Sequence, residues 1–423
     1  MGKRIFIIAP HFPPSSLPPG QRARLLVKHV HKLGFDPTIF TTFSKYREEL
    51  DDEWLVELAG TEYKKIEVRA ISQHFTRKIG FGDLGLRLIP YMLPALIKHS
   101  RKEKPDFILY LVPPWYMLVI APIVKFFNKV PYGIDFIDPW VEVGEIKSGG
   151  LKKKTSQWLA RIFERKAVKH ASIIYSVSEG INKGIAQRYP ESKNKPFYAI
   201  AYGVEPDDFK IAIPIKNSTG EIKIVRYIGA YWEDSAPVLD GLLKAFSHLQ
   251  KQFNFHLEFY GTSYAFGNLV KNQLDRWKPK YQLENILKEF PKRVSYREAV
   301  KLTLDADFLL IFGGMQPYYA ASKLMGLLSS GKIFIAFMHR ESFPAKILKD
   351  VNYPYLVLYS HNQSDLPEDH VAELERMITE MFTHSKNWSG ADFVNNTTLA
   401  GHTAFGMTKQ FIEPINELLT RTT

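Results

Sequence analysis

Residues 307–337, DFLLIFGGMQPYYAASKLMGLLSSGKIFIAF, leave a folding chain little freedom. The apolar run Phe308–Phe312 has the length of a buried strand, and Ile333–Phe337 forms a second. Between them stand Gly313-Gly314, a Pro- and Tyr-rich turn and a helix-like segment opening near Ser322. Strand, glycine loop, helix and strand make one βαβ unit of a parallel sheet. Paired glycines let a ligand approach the main chain closely, and the free N–H groups at the helix start favour an anion. Lys323 falls in the first turn of that helix, where a cation weakens the helix but suits a bound phosphate. No Asp or Glu occurs between Asp307 and Glu341, so nothing local repels a diphosphate. The stretch predicts the phosphate half of a nucleotide site.

The same strand–loop–helix grammar recurs through the chain. RIFIIA (residues 4–9) runs into the loop PHFPPSSLPPG, then a helix over 21–33 stopped by Gly34, then the strand PTIFTT. Residues 45–105 read as irregular and basic, with one helix-like piece, LGLRLIPYMLPALIKHSRK, suited to core packing or to lying on a membrane. Phe107–Val124 holds no charge, yet Pro113-Pro114 breaks it into a buried strand and a buried helix rather than a membrane span. VPYGIDFIDPW reads as a strand ending in an acidic turn. Residues 151–170 read as a basic amphipathic helix with Trp158, Leu159, Ile162, Phe163 and Val168 as its apolar members. After a linker at 211–221 the grammar restarts with IKIVRYIG, VLDGLLKAFSHLQK and FHLEFYG. The expected domains are 1–210 and 222–400, with a helical tail, 401–423, packing back on the first.

At 423 residues two domains are the natural expectation. There are no cysteines, which excludes disulfides, thiolate-bound zinc and thiol nucleophiles and fits a reducing, cytoplasmic compartment. The net charge of +12 is uneven: residues 1–210 hold 33 Lys and Arg against 22 Asp and Glu, the remainder 23 against 22. A basic first half suits an anionic membrane surface, a phosphate-bearing substrate or non-specific contact with nucleic acid. Several motifs fail on context. GFGDLG (80–85) matches a dinucleotide fingerprint but follows no strand. Asp305-Ala306-Asp307 has a metal-binding spacing but sits where a helix ends and a strand begins, so capping and turn roles are the better reading. His11, His29 and His31 lie near one another in sequence, but His29 and His31 stand two apart and cannot share a helical face, which argues against a metal site.

Taken together, PHFPPSSLPPGQRARLLVKHVHKLGFDPTIFTT, PDFILYLVPPW, VPYGIDFIDPWVE, ERKAVKHASIIYSVSEGI, YGVEPDDF, VRYIGAYWED and YYAASKLMGLLSSGK resemble family 4-like glycosyltransferases of the GT-B fold, in order and spacing over about residues 3–340. The resemblance implies an α/β chain of two Rossmann-like, doubly wound parallel-sheet domains facing across a cleft, with the nucleotide-sugar donor held mainly by the second domain. It implies no cofactor and no bound metal. It places Gly229 and Tyr231 against the donor phosphates, Gly261 beside them and Val294 at the base. It places Ser322 and Lys323 at the diphosphate, and Gly20, Arg22, Asp138 and Trp140 on the acceptor side. Asp138 is the leading catalytic candidate, as base or as orienting carboxylate, with Arg22 beside it; a turn-capping Asp before Pro139 is the plainer alternative.

One departure stands out. The family places two glutamates eight residues apart where this chain has Tyr318 and Gly326. Without them the donor is expected to be read through Tyr318, Tyr319 or the main chain. The resemblance thus points to a transferase acting on a glycan or lipid-linked acceptor in surface polysaccharide or glycoconjugate synthesis, cytoplasmic or peripheral on the inner membrane face, without specific nucleic-acid binding. A non-catalytic glycan- or partner-binding protein on a decayed scaffold, or a sugar-nucleotide epimerase, are the rival readings.

Overall fold

The computed structural model describes residues 2–49, 51–78, 82–141, 151–211, 222–265, 269–317, 322–361, 365–385, 388–390 and 396–421. The chain divides into two compact units, Met1–Gly203 with Ala404–Thr423, and Val204–Thr403. The first unit therefore closes before the expected boundary at 210: Val204 bridges to Thr403, and Asp208 accepts a hydrogen bond from Tyr296. The short helix Asp207–Ile211 accordingly belongs to the second unit. Of the expected linker, 212–221 lies outside the described residues.

In the first unit seven parallel strands, β1 (Lys3–Ile8), β2 (Phe35–Thr42), β3 (Lys64–Val68), β4 (Phe107–Val112), β5 (Tyr132–Phe136), β6 (Ile173–Ser176) and β7 (Phe197–Ala199), stand in the order β3-β2-β1-β4-β5-β6-β7. All six residues of β4 are buried, as a central strand covered on both faces requires. The helices are α1 (Pro18–Val30), α2 (Trp54–Ala59), α3 (Gln73–Lys78), α4 (Leu84–Glu103), α5 (Met117–Asn128), α6 (Leu151–His170) and α7 (Glu179–Arg188). Prolines open α1, where a missing N–H costs nothing, and Gly34 stops the turn that follows it in the left-handed region, at φ +85°. The C-terminal helix, Ala404–Thr420, packs on α1: Met407, Phe411, Ile412 and Ile415 share a core with Leu25 and Leu26, and Tyr175 donates to Phe411 O at 2.8 Å.

The second unit repeats the plan with α8 (Asp207–Ile211), β8 (Lys223–Ile228), α9 (Ala236–Leu249), β9 (Phe255–Tyr260), α10 (Trp277–Tyr281), β10 (Leu287–Phe290), α11 (Tyr296–Asp305), β11 (Phe308–Phe312), α12 (Leu324–Ser330), β12 (Phe334–His339), α13 (Phe343–Asp350), β13 (Leu356–Tyr359) and α14 (Val371–His384). Its six parallel strands run β10-β9-β8-β11-β12-β13. Both sheets thus reverse strand order beside their first strand, between β1 and β4 and between β8 and β11. The crevice beyond the strand ends at such a point is where doubly wound sheets bind ligands.

Three expectations are refined. The irregular reading of 45–105 overlooked β3, which pairs with β2 along the sheet edge. On α4 Leu88, Met92 and Leu96 are buried, as core packing requires, while Pro90, Tyr91 and Pro94 are exposed. In α6 two of the named apolar residues, Trp158 and Ile162, are exposed; Val168 is buried, together with Ala160 and Ala167, which lie outside that set. Among the described residues no helix is long and apolar enough to cross a membrane.

Candidate functional site

At the reversal point of the second unit, β8 ends at Ile228 and the chain turns through Gly229, whose N–H donates to Tyr260 O at 2.7 Å. The side chain of Lys323 lies directly over this glycine. A Cβ built on Gly229 would stand 1.2 Å from Lys323 Nζ, so only glycine leaves the ammonium room. Nζ also sits 4.9 Å from the centre of the Tyr227 ring. Crowding by surrounding protein, and then the positive charge of Arg293, pull Lys323 down to about 7, although the side chain keeps an exposed face. Burial likewise lowers the Arg293 guanidinium from its ordinary value. Among the described residues neither cation has an ion pair or a hydrogen-bond acceptor. A neighbouring like charge and burial both oppose the ionised form of Lys323, and an arriving anion relieves that opposition. Lys323 caps only the seven-residue α12, so the side chain rather than a long helix supplies the positive charge.

The second glycine loop holds a carboxylate that the local sequence does not show. A Cβ on Gly314 would lie 2.4 Å from Asp234 Oδ2 and 2.9 Å from Trp232 Nε1. The expectation that nothing acidic stands near this loop is therefore corrected: Asp234 arrives from the β8–α9 connection, and Met315 N donates to its carbonyl at 3.3 Å.

The remaining donor-side candidates divide. Tyr231 is buried; its hydroxyl donates to Glu233 Oε2 at 2.9 Å and accepts from Arg276 Nη2 at 2.8 Å, which pins the loop and corrects the expectation of a group turned to phosphate. Burial first, then Glu233, raises its phenol well above the ordinary range. Gly261 takes φ +72° and donates to Phe290 O at 2.8 Å, a left-handed turn that suits glycine. Val294 is half-buried just before α11, and Ser322 is exposed in the turn before α12. Tyr318 and Tyr319 lie outside the described residues.

In the first unit Arg22 is not where a substrate could meet it. It is 0% exposed, and all five of its N–H groups are engaged. Nε and Nη2 donate to Asp135 at 2.6 and 3.0 Å, Nη2 also to Ile200 O at 2.8 Å, and Nη1 to Ala201 O at 3.2 Å and Met407 Sδ at 3.8 Å. The catalytic expectation for Arg22 is corrected: the guanidinium locks α1, β5, the chain after β7 and the C-terminal helix together. Gly20 lets the β1–α1 loop fold onto itself, since a Cβ there would lie 2.1 Å from His11 O. Trp140 is buried with its ring 5.2 Å from Tyr116, so it walls the edge rather than opening onto it.

Asp138 follows β5 directly. Its main-chain oxygen accepts from Trp115 Nε1 at 3.3 Å, while its carboxylate has no partner among the described residues. Burial raises that carboxyl's pKa, with no donor to offset it, although the residue keeps contact with solvent. Sequence reasoning missed a second proton-handling group. His11 Nδ1 lies 2.7 Å from Glu49 Oε1, to which Ser15 Oγ also donates at 2.9 Å. Burial would raise Glu49, but the hydrogen bond and charge of His11, helped by Arg47, hold it down to about 2. An ionised carboxylate only accepts, so His11 carries its proton on Nδ1 and, when neutral, a lone pair on Nε2. Nothing in the sequence flags a His and a Glu this far apart.

Among the described residues no group of three or more acidic or histidine side chains could hold a metal. Asp305 pairs with Arg226 at 3.0 Å and Asp307 accepts from Ile224 N at 2.7 Å, which are frame contacts.

No protein-family model and no curated protein matches the chain. Solved structures do. Sucrose-phosphate synthase from Thermosynechococcus elongatus superposes with a TM-score of 0.65 at 12% identity, covering 99% of this chain and 100% of that one. Anabaena HepE in complex with UDP and glucose gives 0.64 at 13% identity, covering 98% and 100%. The trehalose 6-phosphate synthase of Burkholderia multivorans gives 0.62 at 11% identity, covering 100% of both. With the two doubly wound parallel sheets, this likeness establishes a GT-B fold of two Rossmann-like domains.

Proposed function

We propose that this protein is a glycosyltransferase moving a sugar from a nucleotide-sugar to a glycan or lipid-linked acceptor, without a bound metal, in surface polysaccharide or glycoconjugate synthesis at the inner face of the cell membrane. The observation that carries the reading is Lys323 over Gly229, with the charge of Arg293 felt beside it and no counter-ion for either among the described residues, at the strand ends where a doubly wound sheet takes its ligand. The complex of HepE with UDP and glucose, on the same fold, supports it.

In this reading the diphosphate supplies the missing negative charge. As the bond from the anomeric carbon to the diphosphate oxygen breaks, the charge that builds on that oxygen is met by Lys323 and Arg293, already in position. Asp234, beside Gly314, accepts hydrogen bonds from donor hydroxyls, the part for which the resembled family uses glutamates where this chain has Tyr318 and Gly326. In the first unit Asp138 serves as base or orienting carboxylate toward the acceptor hydroxyl, with the Nε2 lone pair of His11 as the other proton acceptor.

Isothermal titration with a panel of nucleoside diphosphates tests the reading. One of them should bind, and Lys323→Ala should weaken it by about tenfold, roughly 1.4 kcal/mol. Transfer from the matching nucleotide-sugar should survive a chelator. If no nucleotide binds, the donor reading is gone and a non-catalytic binding protein takes its place.

A further inference from the structure

The outer surface of α5 and α6 has no part in the fold or in the proposed chemistry. A helix crossing between parallel strands normally turns its large apolar side chains to the sheet, and α5 does so with Met117, Leu118, Ile120 and Val124. Its last turn departs from this: Phe126 is 69% and Phe127 51% exposed. On α6, Trp158 and Ile162 stand one turn apart on the solvent side, 61% and 43% exposed. The two phenylalanines touch each other edge-on at 5.5 Å, and Lys129 Nζ lies 5.0 Å from the Phe126 ring. Exposed apolar side chains scattered singly need no explanation, but here they come as two pairs, Phe126 with Phe127 and Trp158 with Ile162, on adjoining helices.

The charge on this surface has one sign. Lys129, Arg161, Lys166 and Lys169 are exposed, and Lys125 Nζ ties the helix ends together by donating to His170 O at 2.8 Å. The acid borne by these two helices is Glu164, which is buried and paired with Arg188. Glu191, from the segment beyond α7, neutralises Arg165 alone. Burial, then Lys125, Lys169, Lys166 and Lys195, pushes His170 below its ordinary value, a sign of how densely the cations are gathered. Crossover helices run antiparallel to their strands, so the ends of α5 and α6 lie at the opposite edge of the sheet from His11 and Asp138.

We propose that the α5–α6 surface docks the protein on an anionic lipid bilayer. Phe126, Phe127, Trp158 and Ile162 enter the boundary between headgroups and acyl chains, and the lysines meet the lipid phosphates. Nucleic acid would engage the lysines but gives the four apolar side chains nothing to bury against, and a second copy of the chain would set like charges against each other. The assignment names the membrane face of the transferase proposed above, yet it rests on α5 and α6 alone; nucleotide titration reads the donor site separately, so the two can fail independently.

Co-sedimentation of the full chain with vesicles tests it. Binding is expected to vesicles in which about a third of the lipid is phosphatidylglycerol, to fall steeply with salt, and to be absent on phosphatidylcholine alone. The triple variant Phe126→Ser, Phe127→Ser, Trp158→Ser and the charge variant Lys129→Glu, Lys166→Glu, Lys169→Glu should each lower the partition coefficient at least tenfold. Unchanged nucleotide affinity and melting temperature would show both variants folded. Brominated lipids should quench wild-type fluorescence more than that of Trp158→Phe. Equal binding to both vesicle types, no binding to either, or unaltered partition of folded triple variant would overturn the proposal. So would a concentration-dependent dimer that the same substitutions abolish.

Discussion

The two sheets reverse strand order at the same place and treat charge there in opposite ways. Behind the loops of the first unit, Arg22 and Asp135 are wholly buried and every guanidinium N–H has an acceptor. In the second, Lys323 stands over a glycine and feels the charge of Arg293, neither cation has an acceptor among the described residues, and the protein lowers the pKa of both. A satisfied buried pair holds elements in place. An unsatisfied pair of like charges is a cost that a bound anion can repay. One scaffold therefore serves as a frame in one unit and as a site in the other, and the difference lies in whether the charges are already partnered.

Arg22→Leu should have the largest effect, because it leaves Asp135 buried and unpaired, at about 3–5 kcal/mol of stability. Chemical denaturation measures this, and an unchanged midpoint would mean that the first pair is not a frame. The converse double change, Lys323→Ala with Arg293→Ala, should leave stability intact or raised and cut nucleoside diphosphate affinity by at least about a hundredfold, since each charge-assisted hydrogen bond is worth about 1.5–3 kcal/mol. A loss of melting temperature instead would make that pair structural too. Asp138→Asn should lower turnover by about a hundredfold with nucleotide affinity preserved, the range for losing a positioned base. Full activity would make Asp138 a turn residue and direct attention to His11→Gln.

Smaller effects sharpen the contrast. Gly229→Ala puts a methyl group where Lys323 Nζ now lies, so it should weaken nucleotide binding by up to about tenfold with little change in folding. The pH dependence has a definite sign. Free Lys323 titrates near 7, and a bound diphosphate raises it toward the ordinary lysine range, so binding above neutrality takes up a proton. Affinity should therefore fall as pH rises from about 7 through the alkaline range, and titration in buffers of different ionisation enthalpy should show the uptake. Both signatures should vanish in Lys323→Ala.

The fold was largely legible beforehand because its signals are short-range. Apolar runs such as Phe107–Val112, Gly34 as a helix stop and the 151–170 helix all follow from residues within a turn or a strand of one another. The edge strands β3 and β10 escaped notice, since four or five half-exposed residues carry too little pattern. The sequence alone also placed Lys323 beside a glycine loop and Asp138 on an acidic turn. It could not rank Arg22 as frame, because its partner lies 113 residues away, nor join His11 to Glu49 or bring Asp234 to Gly314. Those pairings arise where crossover connections return distant segments to one strand end, so only the order of the strands decides which charges meet and which are left without a partner.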